Sequence, residues 1–564
     1  MSFKQNPHEE KVYLIVDDFG DMRSMIKNML VSCGAREIFL AINGAEALAN
    51  MEARRFDVVL CDYNLGPGKD GQQVLEEAKH RHLIGLGCVF LMVTAENARE
   101  MVMGAVEYEP DSYLTKPFNK DLLKTRLDKL IAKKRDLLPV EQAVEKHDYA
   151  RAIEILDTKI TKKPPNSNEL RKIKGEIWLT AGEIALAREV YKTVLSIRDM
   201  PWARLGLGKT LFFDKRYTEA QDVFQTLVDH NQNYTAGYDW LAKTYKRLNQ
   251  MDAAQKTLLT AAEISPKAVL RQRMLGEIAL QNKDDQVAET AFSKAVKHGR
   301  HSVHNHPSNY ANLAKITAVT KKGEAGLKVL KDMKREFGKD PHAHLYMATA
   351  ESVIHETMGN SNASKASLER AADIYQTLDH LATTDCSIEM AKTYNNFGMT
   401  DKAIDLLQNT VLNNHSDDEL MDEIKEAMVS MDLQEEALGS VDTIRQEIAS
   451  LNKRGVELAR SGKLEEAIGL LEKSSEQMPG NKVVNLNTAL VLLMDMERKR
   501  LSVEGIDKIR VYLDRVRKVD PDNQTLNKLQ NRLKTAIKTT DQGPVNTNSI
   551  APVVPCRVKN GQRQ

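Results

Sequence analysis

The sequence is short of several things, and each shortage removes a class of protein. Its 564 residues hold five cysteines (Cys33, Cys61, Cys88, Cys386 and Cys556), none in C-x-x-C spacing. Neither a zinc site nor a disulfide framework is expected, and a reducing compartment fits. No apolar run approaches the ~18 residues of a transmembrane helix, so no membrane insertion is expected. Met1 to Glu10 are polar and lack the apolar core of a signal peptide. A cytoplasmic protein is the expectation. Excess charge of one sign is also missing: 80 Lys+Arg stand against 79 Asp+Glu, a formal +1. That gives no argument for a nucleic-acid partner, and none is expected. Aromatics are only 5%. With plentiful Ala, Leu, Glu and Lys, this indicates a largely helical chain. Its length exceeds what one core supports.

What is present is concentrated at residue 62. Phe56-Asp57-Val58-Val59-Leu60 is a short, mostly apolar run closed by Cys61-Asp62-Tyr63-Asn64-Leu65. It reads as a buried parallel strand, followed by the turn Gly66-Pro67-Gly68-Lys69-Asp70-Gly71. Asp62 then stands at a strand's carboxyl end, where open α/β sheets keep their ligand sites. Three other strand patterns end the same way. Tyr13–Val16 ends in Asp17-Asp18, Val89–Val93 in Thr94, and Tyr113-Leu114-Thr115 in Lys116-Pro117. Between them lie helical faces. Met22, Met25, Ile26, Met29 and Leu30 form the first, and a helix capped by Asn43 the second. A third follows Gly71, a fourth spans Glu96 to Val106, and a fifth spans Asn119 to Lys133. This alternation predicts a doubly wound, five-stranded parallel sheet covered on both faces.

Two acids, one acid, a hydroxyl and a lysine, in that order at the strand ends, resemble the receiver domain of bacterial two-component response regulators. The resemblance covers roughly residues 9–135 and implies a flavodoxin-like fold. It implies Asp62 as phosphoacceptor for a sensor histidine kinase or phosphotransfer protein. It also implies Mg²⁺ on Asp18, Asp62 and the Asn64 backbone carbonyl, with Asp17 acting largely through water. Lys116 and the Thr94 hydroxyl would meet phosphoryl oxygens, and Tyr113 corresponds to the aromatic switch residue. The output face would be the fourth helix, fifth strand and fifth helix, and a dimer through the receiver is possible. The Lys116-Pro117 bond is expected to be cis. The chain departs from the family's D-x-x-M-P-x-x-D-G loop by one extra residue and by Leu65 in place of Met.

After residue 135 no strand alternation continues. Ala152, Ala187, Ala220, Ala254 and Ala288 recur at 33 to 35 residues. Twelve positions before four of them stand Gly175, Gly208, Ala242 and Gly276. Four positions after each stand Leu156, Tyr191, Phe224, Leu258 and Phe292. Small residues where helices cross, with a large residue to fill the gap, resemble the tetratricopeptide repeat. Further units centre on Tyr238–Pro266, on Ala391, Gly398 and Ala403, and on Gly455, Ala467 and Pro479. About nine repeats are expected, with looser matching between Gly299 and Met390. They would stack into an all-α superhelical solenoid with a groove for an unidentified protein ligand.

The expected organisation is a tail over 1–9, a receiver over 10–135, a repeat domain over 136–540 and a disordered tail over 541–564. It resembles that of VieB-type regulators. His298, His301, His304 and His306 crowd one stretch. They fit a metal site or an exposed inter-repeat loop, the loop being simpler. No helix-turn-helix, cyclase or hydrolase signature follows residue 135. The expected function is a non-enzymatic phosphorelay regulator whose repeats control a protein partner. A constitutive repeat adaptor with a non-switching receiver, and a nucleic-acid-binding regulator using basic helices near Arg498–Lys518, are the alternatives.

Overall fold

The structure is a computed structural model. It describes residues 6–95, 110–135, 137–162, 164, 166–321, 323–378, 382–433, 435–499, 502–521 and 523–540. The fourth receiver helix expected over 96–106 and the tail expected over 541–564 lie outside these residues. The chain divides into two compact units, Met1–Phe337 and Gly338–Gln564.

The first unit opens with a five-stranded parallel sheet of order β2-β1-β3-β4-β5. Its strands are β1 (Val12–Val16), β2 (Glu37–Ala41), β3 (Val58–Asp62), β4 (Val89–Thr94) and β5 (Ser112–Thr115). The helices around it are α1 (Gly20–Cys33), α2 (Gly44–Ala53), α3 (Gly71–His80) and α4 (Lys120–Arg135). Side chains alternate along each strand, so one sheet feeds two cores. Leu14, Val59, Cys61, Phe90 and Met92 pack with Leu48, Met51, Val74 and Leu75 of α2 and α3. Tyr13, Ile15, Val58, Leu60, Leu91 and Val93 pack with Ile26 and Leu30 of α1 and Leu123 and Leu127 of α4. Every residue of β3 is buried, which is why its sequence reads as a continuous apolar run. The Asn43 side chain caps α2 by accepting from the Glu46 amide, as the sequence indicated.

Part of the stretch read as an N-terminal tail is built into this domain. His8 is fully buried, with Nδ1 2.6 Å from the Tyr13 hydroxyl and Nε2 2.7 Å from Asp128 of α4. An isolated histidine in a polar segment carries no pattern that marks it as core.

A long all-helical repeat array follows. In the first unit six antiparallel helix pairs run from Leu138–Glu145 with Tyr149–Thr161 to Pro307–Thr320 with Gly323–Phe337. Ala152, Ala187, Ala220, Ala254 and Ala288 are all 0% exposed, and so are Leu156, Phe224, Leu258 and Phe292. The turns inside the pairs share a device. His147, Lys215, Asn249 and Lys283 adopt positive φ two residues before the second helix, where Gly182 does the same. Each ends the first helix with a left-handed residue. Only the asparagine and glycine among them are marked by residue type.

In the second unit two regular pairs, Pro341–Thr357 with Ser361–Leu378 and Thr384–Asn396 with Thr400–Asn414, precede a 26-residue helix, Glu435–Arg460. Ser361–Leu378, within the stretch expected to match loosely, is therefore the second helix of a regular pair. Buried His415 follows Thr400–Asn414. Its Nδ1 accepts from the Asn481 side-chain amide at 2.8 Å, so the ring is neutral. Burial, and then the Arg445 guanidinium, push its pKa down to about 4. The unfolded chain therefore binds a proton that the folded chain refuses, in the window from about 6.5 down to about 4. Stability is constant above that window and falls as pH drops through it. We expect roughly 2 kcal/mol to be lost from this source between pH 7 and 4.5. Urea unfolding at the two pH values, with His415→Gln as reference, measures it; an equal loss in the variant would contradict the assignment.

Candidate functional site

The parallel sheet brings the carboxyl ends of β1, β3, β4 and β5 to one edge, and the sequence places a polar group at each. Asp17, Asp18 and Asp62 each offer a carboxylate oxygen, and these atoms lie within 4.8 Å of one another. Among the described residues this is the one such acidic, cysteine or histidine cluster. Asp17 is 1% exposed and Asp62 8%, while Asp18 reaches solvent. The Lys116 ammonium bridges the two buried acids, 2.9 Å from Asp17 Oδ2 and 3.1 Å from Asp62 Oδ1. The Phe19 amide donates to Asp17 Oδ1 at 2.8 Å, and the Arg23 guanidinium to the Asp17 carbonyl.

Three carboxylates crowd together and two of them share one ammonium, and the electrostatics show the strain. Burial raises the Asp62 carboxyl to about 6, with Lys116 opposing and Asp17 adding to the rise. Burial works to lower the Lys116 ammonium, but Asp17 and Asp62 outweigh it and hold the group above its ordinary value. An excess of hard oxygen donors around a negative spot suits a small divalent cation, and the cluster is typical of a receiver Mg²⁺ site.

The other expected residues fall on the same edge. Thr94 ends β4, and its carbonyl accepts from the Lys116 amide at 2.7 Å. Lys116-Pro117 is cis. Tyr113 of β5 packs against the α2/α3 core, and its hydroxyl is buried with no hydrogen-bond partner among the described residues. Burial pushes that phenol up. Asn64 is exposed, two residues beyond Asp62.

Two glycines shape the site more tightly than the sequence revealed. Gly66, in the lengthened loop, has φ +70°, and a Cβ there would lie 3.1 Å from Asp18 Oδ2. The lengthened loop thus places a left-handed residue close against the acid, and both features favour glycine. Gly71 donates its amide to the Tyr63 carbonyl at 2.8 Å, and a Cβ there would sit 2.1 Å from the Asp62 carbonyl oxygen. The Asp-Gly pair marked a turn; nothing in it marked contact with the strand end.

Residues 13–128 match the profile of the response regulator receiver domain, and residues 141–201 and 236–267 match tetratricopeptide repeat profiles. The chain is 37% identical over 123 residues to the chemotaxis protein CheY-3 of Vibrio cholerae, covering 21% of this chain and 88% of the relative. It is 35% identical over 121 residues to the chemotaxis protein CheY of Pseudomonas aeruginosa, covering 21% of this chain and 93% of that one. Among solved structures, Vibrio cholerae CheY4 is similar at 29% identity, covering 21% of this chain and 98% of its own, with a TM-score of 0.20. On the residues at the sheet edge, the matched profiles and the two chemotaxis relatives of 37% and 35% identity, the chain belongs to the response regulators, with a CheY-like receiver at its N-terminus followed by tetratricopeptide repeats.

Proposed function

We propose that this protein is a phosphorelay response regulator in which Asp62 accepts a phosphoryl group and the repeat array regulates a protein partner. The observation that carries the reading is the Asp17–Asp18–Asp62 cluster bridged by Lys116 at the sheet's carboxyl edge. Asp62 Oδ attacks phosphorus of a phosphohistidine on a sensor kinase or phosphotransfer protein. The O–P bond forms, the P–N bond breaks, and the imidazole leaves with the electron pair. Asp18, Asp62 and the Asn64 carbonyl, with Asp17 through water, would hold Mg²⁺, which neutralises charge on the phosphoryl oxygens. Lys116 turns from the carboxylates toward one phosphoryl oxygen, and the Thr94 hydroxyl donates to another. Tyr113 follows Thr94 and changes the neighbouring surface. The chemistry is confined to the chain's own phosphorylation state, so the output is binding rather than catalysis.

The test is a pull-down from native lysate with full-length protein, with and without Mg²⁺ and beryllofluoride, and with Asp62→Ala as control. The expected result is a partner whose occupancy changes in the wild type and not in the variant. A partner held equally in every condition would make the protein a constitutive adaptor.

A further inference from the structure

The receiver touches its own repeats at a place that the fold family's output face does not include. Side chains of α3 and the loop before it meet the turn between the helices Asp285–Gly299 and Pro307–Thr320, the histidine-rich stretch. The Ser302 hydroxyl donates to Glu76 Oε2 at 2.8 Å, and both residues are buried, at 8% and 5% exposure. His304 Nε2 lies 3.5 Å from Glu76 Oε1, and its ring meets His80 edge to face. Burial pushes His304 down to about 4, so at neutral pH Glu76 meets a neutral ring. The Gln73 amide reaches the Arg300 carbonyl at 3.3 Å, and Lys69 donates to the His301 carbonyl. On the repeat side the turn is already shaped. Its Ser302 hydroxyl accepts from the His304 amide, and Arg273 donates to the His304 carbonyl at 2.9 Å.

The receiver half of this contact begins seven residues after Asp62. The connecting loop is fixed at three points of the acidic site: Gly66 against Asp18, the Gly71 amide on the Tyr63 carbonyl, and Gly71 pressed on the Asp62 carbonyl. There is little slack between the acceptor and α3. A phosphoryl group on Asp62 must compete for Lys116, which now bridges Asp62 and Asp17, in a site whose Asp18 side is lined by Gly66.

We infer that α3 and the repeat turn 299–306 form an intramolecular latch, closed while Asp62 is unmodified and loosened by its phosphorylation. The inference rests on the phosphoacceptor reading above and adds its mechanical output. Opening uncovers the Ser302 hydroxyl and the His304 ring, which Glu76 now covers, beside the already exposed Lys267 and Arg300. The segment that replaces the receiver there is an acidic one, supplying a carboxylate to Ser302 as Glu76 does. Linkage makes the effect reciprocal: whatever opens the latch eases phosphorylation.

Hydrogen exchange on the full chain tests this, read at peptides covering 299–306 and 71–80, alongside phosphate-affinity gels after acetyl phosphate. Wild-type protein with Mg²⁺ and beryllofluoride is expected to exchange at least tenfold faster at both peptides. Asp62→Ala should show no change. Glu76→Ala and, from the repeat side, Ser302→Ala should exchange fast without beryllofluoride and take up phosphoryl groups at least as readily as wild type. Uptake with unchanged exchange would overturn the latch and leave the phosphoacceptor reading standing. Absence of uptake would overturn both.

Discussion

Replacing Asp62 with asparagine is expected to reduce phosphoryl uptake from acetyl phosphate to background while the fold survives. Asparagine matches the carboxylate in shape and still accepts from Lys116, but its amide cannot attack phosphorus and leave an acyl phosphate. The wild-type site is crowded: three carboxylates converge within 4.8 Å of one another, and one ammonium serves two of them. Removing one negative charge relieves that repulsion, so without metal the variant should be at least as stable as wild type. This separates lost chemistry from lost folding. Lys116→Ala acts differently. It leaves Asp17, 1% exposed, and Asp62 without their shared partner, and a buried charge stripped of its counter-ion costs about 3–5 kcal/mol. That variant should lose both uptake and stability. Phosphate-affinity gels beside urea unfolding give both readouts. Residual uptake in Asp62→Asn at the wild-type level would move the acceptor elsewhere.

What was readable in the sequence follows from how local the physics is. The receiver's strands are short apolar runs because parallel strands are buried on both faces, and the polar residue ending each run marks the sheet edge. The alanine phase of the repeats was readable because close helix crossings admit only small side chains, and every anchoring alanine is fully buried. The contact between α3 and the turn 299–306 was not readable. It joins residues some 226 positions apart, Glu76 and Ser302, and no local pattern encodes such a pairing. The histidine-rich stretch is the expected inter-repeat turn, with His301 exposed, but the His304 side chain is drawn into that contact. Among the described residues none of its histidines joins a metal-capable cluster. The resemblance placed the output face on the fourth helix, fifth strand and fifth helix. The fourth helix lies outside the described residues; among them α3 contacts the repeats, Gly87 and Arg55 contact Glu141 and Glu145 of the first repeat, and the fifth receiver helix, α4 here, reaches Glu169 through Lys133 at 2.7 Å. Turn residues such as Lys215 and Lys283 escaped notice because a lysine in left-handed conformation looks like any other lysine.

Truncating Phe224 to alanine is expected to destabilise the repeats around it by about 3–5 kcal/mol, among the largest effects available outside the receiver. Phe224 is 0% exposed and stacks on Trp240 with ring centroids 6.2 Å apart. Its ring fills the space that Gly208 leaves open on the facing helix, where a Cβ would lie 2.3 Å from the ring. Tyr191 repeats the arrangement against Gly175 and Gly206, and Phe292 against Gly276. The small and large residues are therefore one packing unit, and the glycine's helix-propensity cost of about 1 kcal/mol is offset by the ring it admits. Gly208→Val alone should also be severe, because the ring has no room to retreat in a fully buried site. Combined with Phe224→Ala, the valine methyls enter the cavity, and the double variant should be more stable than the sum of the two losses predicts. Repeats contact mainly their neighbours, so the damage should centre on residues 201–264. Phosphoryl uptake at Asp62 should persist. Limited proteolysis and hydrogen exchange across that stretch, set beside phosphate-affinity gels, would show it. Additive losses in the double variant would mean that Gly208 and Phe224 are not coupled, and that the small–large spacing in the sequence reflects something other than packing across the helix pair.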